Sequence, residues 1–564
     1  MNGILQKRNT FRCKKELSTM AWYDEAVFYH IYPLGLTGAP KQNDYGEPVH
    51  RLNTLLPWVD HIKALNCNAL YIGPLFESAT HGYDTTDYKK LDSRLGTNED
   101  LKAFVAYCHQ QGIRVIFDGV FNHVGRDFFA FRDLQQYREQ SWHKDWFCNV
   151  NFWGNNEYND GFSYDNWGGY NLLVKLNHYN PAVRNYMLDV VRFWVEEFDV
   201  DGLRLDAADV LNFEFMRDLR GLADTVKPEF WLMGEVIHGD YSRWVNGDTL
   251  HSVTDYALHK GLYSGHNDHN YFEIAHTVNR TIQMSGGNLS RFRLYNFVDN
   301  HDVERIFTKL RNKAHFVPVH ILLYTLPGVA SIYYGSEFGI EGVKRIGGSD
   351  DAIRPALHLA DYADALEKNP FTQLIAALGK IRQSAKSLDY GDYKQLLLTT
   401  GQYAFARSIP GETAVVTVNN ADHPAELNVP LQADGEYVGA LSGAKVRAGY
   451  GHLQIRLDAN SGEIWLPVHS GAGTFTPVDT KIIRQEVKKQ EAKAAKPRAK
   501  SEGELEKLAA RSAAKRYEDM SVEELQAQII AKMAKNGPVT DQMRRSVEEN
   551  THQVSLLNWV RSFR

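Results

Sequence analysis

Cysteine is scarce: Cys13, Cys67, Cys108 and Cys148 are the only four in 564 residues, each alone in an unrelated context. Four scattered thiols argue against a disulfide framework and a zinc site, and fit reduced thiols in a cytoplasm. Long apolar runs are missing too, and no stretch approaches the roughly 18 to 20 apolar residues that cross a bilayer. The first 20 residues carry Lys7, Arg8, Arg12, Lys14 and Lys15 without a continuous apolar core, so no secretory signal is expected there. Excess positive charge is also absent: 63 Lys and Arg face 69 Asp and Glu, a formal net charge of −6. Nucleic acid and membrane are therefore not expected partners.

What is present is an ordinary globular mixture, 43% hydrophobic and 23% charged, long enough to bury a large core. The 11 Trp, 29 Tyr and 27 Phe would serve core packing or stacking against sugar faces equally well. Apolar strand-like runs recur at 26–34, 69–75 and 114–120, with helical patterns between them at 48–65 and 99–111. Strands that are apolar on both faces, alternating with helices, belong to a parallel sheet. Asn98 is read as the N-cap of the second helix, with Glu99 and Asp100 in its first turn.

From 125 to 176 the rhythm breaks into a stretch crowded with Trp, Asn, Gly, Phe and Asp, too long for a simple connection and expected to be a small inserted domain. The rhythm resumes with a helix over 181–198, opened by Pro181. Further strands are predicted at 202–208, 230–236, 252–257, 294–299 and 330–335, with helices at 213–226, 271–284, 316–325 and 370–387. Eight units of this kind predict an α/β fold, a closed (β/α)8 TIM barrel over 22–390 interrupted by the insertion after strand 3. Short alternating strands over 391–468 predict a C-terminal antiparallel β-sandwich, and 469–520 reads as a charged linker or loosely held helix. Ser521 and Glu524 form a capping box that opens a helical C-terminal extension over 521–564. Its stripe of Leu525, Ile529, Ile530 and Met533, followed by Leu556, Leu557, Trp559 and Val560, must dock on the barrel, the sandwich or another subunit, so a homo-oligomer is one expected outcome. Residues 1–21 form an N-terminal segment.

Four of the strand-like runs end in acids: Asp118, Asp206, Glu235 and Asp302. In a barrel these ends lie on the C-terminal rim, where chemistry is carried by loops. Arg204 and Asp206 share one strand face; a purely structural ion pair is one reading, since buried charges must be partnered. Two carboxyl groups on neighbouring strands also meet the needs of glycosidic hydrolysis with retention, at a separation of about 5 to 5.5 Å. Asp206, beside Arg204, suits the nucleophile; Glu235, with no cation adjacent in sequence, suits the acid. Asp302 would stabilise developing positive charge, and His123 and His301 would donate to sugar hydroxyls or sit as core histidines.

Asp118-Gly119-Val120-Phe121-Asn122-His123, Gly202-Leu203-Arg204-Leu205-Asp206, Gly234-Glu235-Val236 and Phe297-Val298-Asp299-Asn300-His301-Asp302 resemble, in order, the four signature segments of the alpha-amylase family, glycoside hydrolase family 13. Val174-Lys175-Leu176-Asn177 resembles a further segment in the form seen among maltogenic amylases, neopullulanases and cyclomaltodextrinases. The resemblance spans about 22–468 and implies Asp206 as nucleophile, Glu235 as general acid and base, Asp302 as transition-state stabiliser, and Arg204, His123 and His301 as sugar ligands. It implies Tyr83 as a stacking tyrosine, and Asp84 with Arg354 as the grip on non-reducing-end hydroxyls seen in exo-acting glucosidases. Asn122 matches a calcium-linked asparagine, so a structural calcium is optional and no other cofactor is required. Asp209-Val210 and Ile237 depart from the family's commoner Lys-His and Trp, which implies unusual leaving-group subsites. The expected activity is hydrolysis of α-1,4 bonds in maltooligosaccharides or short dextrins in the cytoplasm. The alternatives are an α-glucosidase or transglycosylase and, in a different class, a silent sugar-binding protein.

Overall fold

The structure is a computed structural model that describes residues 21–289, 292–344, 349–468, 475–494, 509–536, 543, 547 and 553–563. The segment 1–20, part of the 469–520 linker and the Gly537-Pro538 stop lie outside the described residues. The chain divides into two compact units, Met1–Arg484 and Gln485–Arg564.

The first unit is built on eight parallel strands: β1 (Val27–Ile31), β2 (Ala69–Ile72), β3 (Arg114–Gly119), β4 (Gly202–Leu205), β5 (Trp231–Gly234), β6 (Ser252–Val253), β7 (Tyr295–Phe297) and β8 (Val329–Tyr333). Their spatial order is β6-β5-β4-β3-β2-β1-β8-β7. A parallel bridge between Thr254 and Tyr295 joins the two ends and closes the barrel. The interior is filled, not hollow. Phe28, Tyr71, Ile116, Trp231, Met233, Tyr295 and Phe297 pack there, with the Trp231 ring stacked on Phe28 at 5.2 Å.

Several local expectations change. Strand six stops at Val253 instead of running to 257, because the Asp255 side chain accepts from Leu258 N and caps a helix, Tyr256–Asn267, that the sequence reading missed. Thr97, not Asn98, is the N-cap of helix Asn98–Gln110: Thr97 N donates to Asp100 Oδ2 at 2.8 Å and Asp100 N donates back to Thr97 Oγ1. Pro33 ends the first strand early and opens a one-turn helix, Pro33–Leu36. Residues 51–64 form a 3₁₀ turn, Arg51–Leu55, followed by helix Leu56–Ala64, a shorter helix than 48–65. Helix Pro181–Phe198 is as read, with Asn180 capping Ala182 N at 2.9 Å.

The insertion carries helix Phe129–Tyr137 and a three-stranded antiparallel sheet of His123–Val124, Asn166–Trp167 and Tyr170–Lys175. Its sheet begins at His123, the last residue of the Asp118–His123 segment, so barrel rim and insertion share one backbone. The Arg126 guanidinium pairs with Asp160 at 2.7 Å inside the insertion. After helices Pro370–Ser384 and Lys386–Tyr390 comes the antiparallel sandwich of eight strands from Asp392 to Pro467, including Gly435–Gly439, Lys445–Gly449 and Ser461–Pro467, which were not anticipated. Its core holds Ala404, Val415, Val429, Tyr437, Leu453 and Trp465.

Within the expected linker, Thr480–Ala494 is helical. In the second unit Ser521 and Glu524 make the predicted reciprocal cap, Ser521 N to Glu524 Oε2 at 2.9 Å and Glu524 N to Ser521 Oγ at 3.2 Å. Helices Val522–Asn536 and Gln553–Ser562 bury Leu525, Ile529, Met533, Leu556 and Val560 against one another. Much of the stripe thus packs inside its own unit.

Candidate active site

Parallel register places the acids. Arg204 on β4 pairs with Asp118 on β3 and with Met233 on β5, and Leu205 pairs with Gly234. Asp206 and Glu235 are therefore the next residues along two neighbouring strands. Their first amides continue the ladder, Asp206 N to Gly119 O at 3.1 Å and Glu235 N to Leu205 O at 2.9 Å. Alternation along β4 sends Leu203 and Leu205 outward to the helices, while Arg204 and Asp206 enter the barrel mouth.

Arg204 lies at the centre of a carboxylate cluster, and its side chain is only 3% exposed. Nη1 lies 2.8 Å from Asp118 Oδ1 and 2.9 Å from Asp206 Oδ1, and Nη2 lies 2.7 Å from Glu235 Oε2. The expectation that Glu235 has no cation beside it is overturned: strand pairing brings Arg204 to it from β4. One guanidinium facing three carboxylates leaves the cluster short of positive charge. Burial pushes the Asp206 carboxyl well above the usual carboxylate range; Arg204 opposes that rise, and Glu235 and Asp118 add to it. At Asp206, burial thus outweighs the contact with Arg204. Ala207, with φ at +47°, turns the chain into the left-handed region so that its N–H reaches Glu235 Oε2 at 3.1 Å.

Asp302 lies in a different field. Burial raises its carboxyl, but His301 and Arg354 outweigh burial and hold it well below the ordinary range. His301 Nε2 is 3.0 Å from Asp302 Oδ2, and Arg354 Nη2 is 2.8 Å from Asp302 Oδ1. The His301 ring lies nearly parallel to the rings of Tyr83, at 5.6 Å, and Tyr32, at 5.9 Å. Tyr83 also donates to Asp118 Oδ2 at 3.0 Å and bonds His301 Nε2. His123 is kept neutral by burial, its pKa lowered to about 3. Its Nε2, 3.9 Å from Asp206 Oδ2, has no hydrogen-bond partner among the described residues, a free polar atom facing the nucleophile.

Two expected residues are engaged differently. Asp84 is fully buried and accepts from Thr80 N at 3.1 Å and Thr80 Oγ1 at 2.7 Å, while Arg354 is committed to Asp302, Asp350 and the His301 carbonyl. The Asp84 and Arg354 grip is thus not assembled as an open pair. Asn122 is buried behind His123, its amide 3.2 Å from His123 Nδ1. Among the described residues no group of three His, Cys, Asp or Glu is arranged to hold a metal.

Tyr256, Asn300 and Asp118 were not picked as site residues. Tyr256 Oη donates to Glu235 Oε1 at 3.3 Å and accepts from Asn300 Nδ2 at 3.2 Å. Its signal was present in Asp255, a helix-capping residue type, but reading 252–257 as strand concealed it. A cavity of 440 Å³ is lined by Tyr32, His81, Arg94, Asp350 and Arg354, and by none of the three acids Asp206, Glu235 and Asp302. A larger, mostly apolar cavity of 640 Å³ between helix Leu56–Ala64 and the segment around Leu357 holds none of these acids.

Residues 51–386 match the alpha-amylase catalytic domain, and residues 391–465 match the alpha-amylase C-terminal domain. The chain belongs to the alpha-amylase family of glycoside hydrolases. This member is 30% identical to a cyclomaltodextrinase of Thermoanaerobacter pseudethanolicus over 71% of each chain. It is also 30% identical to neopullulanase 2 of Thermoactinomyces vulgaris, over 82% of this chain and 81% of that one. Among solved structures, the cyclic alpha-maltosyl-(1→6)-maltose hydrolase of Arthrobacter globiformis superposes with a TM-score of 0.67 at 25% identity, covering 80% of this chain and all of the other. These relatives lie on the maltogenic and neopullulanase side of the family, as the Val174-Lys175-Leu176-Asn177 segment implied.

Proposed function

We propose that this family member hydrolyses α-1,4-glucosidic bonds in maltooligosaccharides or short dextrins by double displacement with retention. The observation that carries the reading is the Arg204 guanidinium shared by Asp206 and Glu235, which holds two carboxyl groups together on adjacent strands as a covalent glycosyl mechanism requires. Asp206 attacks the anomeric carbon while Glu235 donates a proton to the departing glycosidic oxygen. Glu235 then takes a proton from water, which attacks the same carbon and frees Asp206. Asp302, kept ionised by His301 and Arg354, faces the positive charge of the oxocarbenium-like state. His123 Nε2 is available to a sugar hydroxyl.

Hydrolysis of short chains is favoured over the exo-glucosidase reading because Asp84 is spent on Thr80 and Arg354 on Asp302 and Asp350. Names of the relatives add support: cyclomaltodextrinase, neopullulanase 2 and maltogenic alpha-amylase. A cytoplasmic setting is consistent with free Cys67, Cys108 and Cys148, and no described helix is long and apolar enough to cross a membrane. Structural calcium beside Asn122 stays optional, and self-association through the C-terminal helices is part of the proposal; sedimentation of the full chain against one ending at 520 tests the latter.

Azide tests the roles. With an α-glucosyl fluoride donor, Asp206→Ala plus azide should form the β-glucosyl azide, and Glu235→Ala plus azide the α-glucosyl azide. The same anomer from both variants, or unimpaired hydrolysis of maltooligosaccharides in Asp206→Asn, defeats the assignment.

A further inference from the structure

The inserted domain presents aromatic rings to solvent: Trp142 is 92% exposed, Trp153 98% and Tyr170 64%. Trp167, on the same domain, also reaches the reaction centre. Its ring lies 5.9 Å from the His123 ring, and His123 Nε2 lies 3.9 Å from Asp206 Oδ2. One small sheet carries both residues, since His123 pairs with Lys175 on the strand that turns back onto Trp167.

Trp167 and Tyr170 flank a two-residue hairpin turn, Gly168-Gly169, with φ values of +62° and +87°. Left-handed backbone at both turn positions suits glycine and matches the twist of the strands, so the hairpin is tight. Asn166 Nδ2 bonds Asn171 Oδ1 at 2.7 Å, and Tyr164 Oη donates to Asn171 O at 2.8 Å. The tip is thus braced from behind while both rings stay open to solvent. By contrast, the exposed apolar side chains on the loops that follow the nucleophile and the acid are aliphatic, Val210 and Ile237, beside the polar Asp209, His238 and Asp240. Sugar rings offer C–H faces that stack on indole and phenol, and aliphatic side chains provide no such plane.

We propose that Trp167 and Tyr170 form an aromatic platform for a glucosyl ring next to the one held at Asp206, making this hairpin a determinant of preference for chains over single sugars. The inference rests on the α-glucan reading above. Trp167 touches substrate and takes no part in proton or bond transfer.

The test uses the full chain carrying Glu235→Gln, with maltohexaose and glucose as probes and with calorimetry and tryptophan fluorescence as readouts. Adding Trp167→Ala should weaken maltohexaose binding about tenfold, reduce the fluorescence change and leave glucose affinity within about twofold. Trp167→Phe should recover most of the loss, and Tyr170→Ala should show a smaller one. In the active enzyme, Trp167→Ala should raise KM for maltohexaose with kcat nearly unchanged. Equal maltohexaose binding with and without Trp167 overturns the platform alone. A parallel loss for glucose also overturns it, because the ring then acts only by supporting His123. Failure of the Glu235→Gln protein to bind any glucan overturns the substrate reading and the platform with it.

Discussion

Arg204 Nη2 stands 2.7 Å from Glu235 Oε2 across the β4–β5 pair, while Nη1 of the same guanidinium reaches Asp206 and Asp118. A single buried cation therefore fixes the positions of all three carboxylates. Arg204→Ala should lower stability by about 3 to 5 kcal/mol, since it strands buried charge. Arg204→Lys should fold better yet lose on the order of a hundredfold in kcat/KM, because an ammonium cannot span three acids as a planar fork does. Thermal melts and steady-state kinetics on maltotriose check both, and wild-type kinetics in Arg204→Lys would sink the argument.

Tyr256 bridges Glu235 and Asn300 with one hydroxyl. Tyr256→Phe keeps the ring and removes only that bridge, so kcat should fall about tenfold with a stability change near 1 kcal/mol. A kcat equal to wild type would show that the bridge does not matter to the reaction.

Asp201 lies just before β4 and joins His109 at 2.7 Å, the Val115 amide at 2.8 Å and Lys227 at 3.0 Å. Burial raises its carboxyl, but these partners outweigh burial and lower it from 3.8 to about 2. A folded value below the unfolded one gives stability that is complete above about pH 4 and is lost as pH falls through 2. Asp201→Asn should therefore be less stable than wild type by about 2 kcal/mol at pH 7, with the gap closing between pH 4 and pH 2. Denaturant titrations across that range measure it; a constant gap refutes the linkage.

Leu525 is fully buried in the apolar cluster of the C-terminal unit. Leu525→Ala should destabilise that unit by about 2 to 5 kcal/mol while leaving kcat on maltotriose unchanged. Hydrogen exchange of helix Val522–Asn536 beside an activity assay separates the two effects, and a fall in kcat would couple the extension to catalysis.

Were the optional calcium bound beside Asn122, a chelator would lower the melting temperature of the purified protein and added calcium would restore it. An unchanged melt in chelator removes the ion from the account.

The sequence alone carried a large share of this protein. Period-2 alternation put Arg204 and Asp206 on one strand face, and the recurrence of strand, helix and terminal acid predicted the barrel and its working rim. Those signals are local, repeated and within a few residues of each other. Strand β6 was misread because it has two residues, too few for periodicity to register, and its capping Asp255 resembles any other loop acid. The reach of Arg204 to Glu235 depends on Met233 standing opposite Arg204, a pairing of residues 29 positions apart that depends on strand register. The same holds for Trp167 beside His123, which meet only because a hairpin folds back across the insertion. Chain pattern decided which residue types stand at the rim; only tertiary pairing decided which charges share a partner, because electrostatic fields act through space and not along the chain.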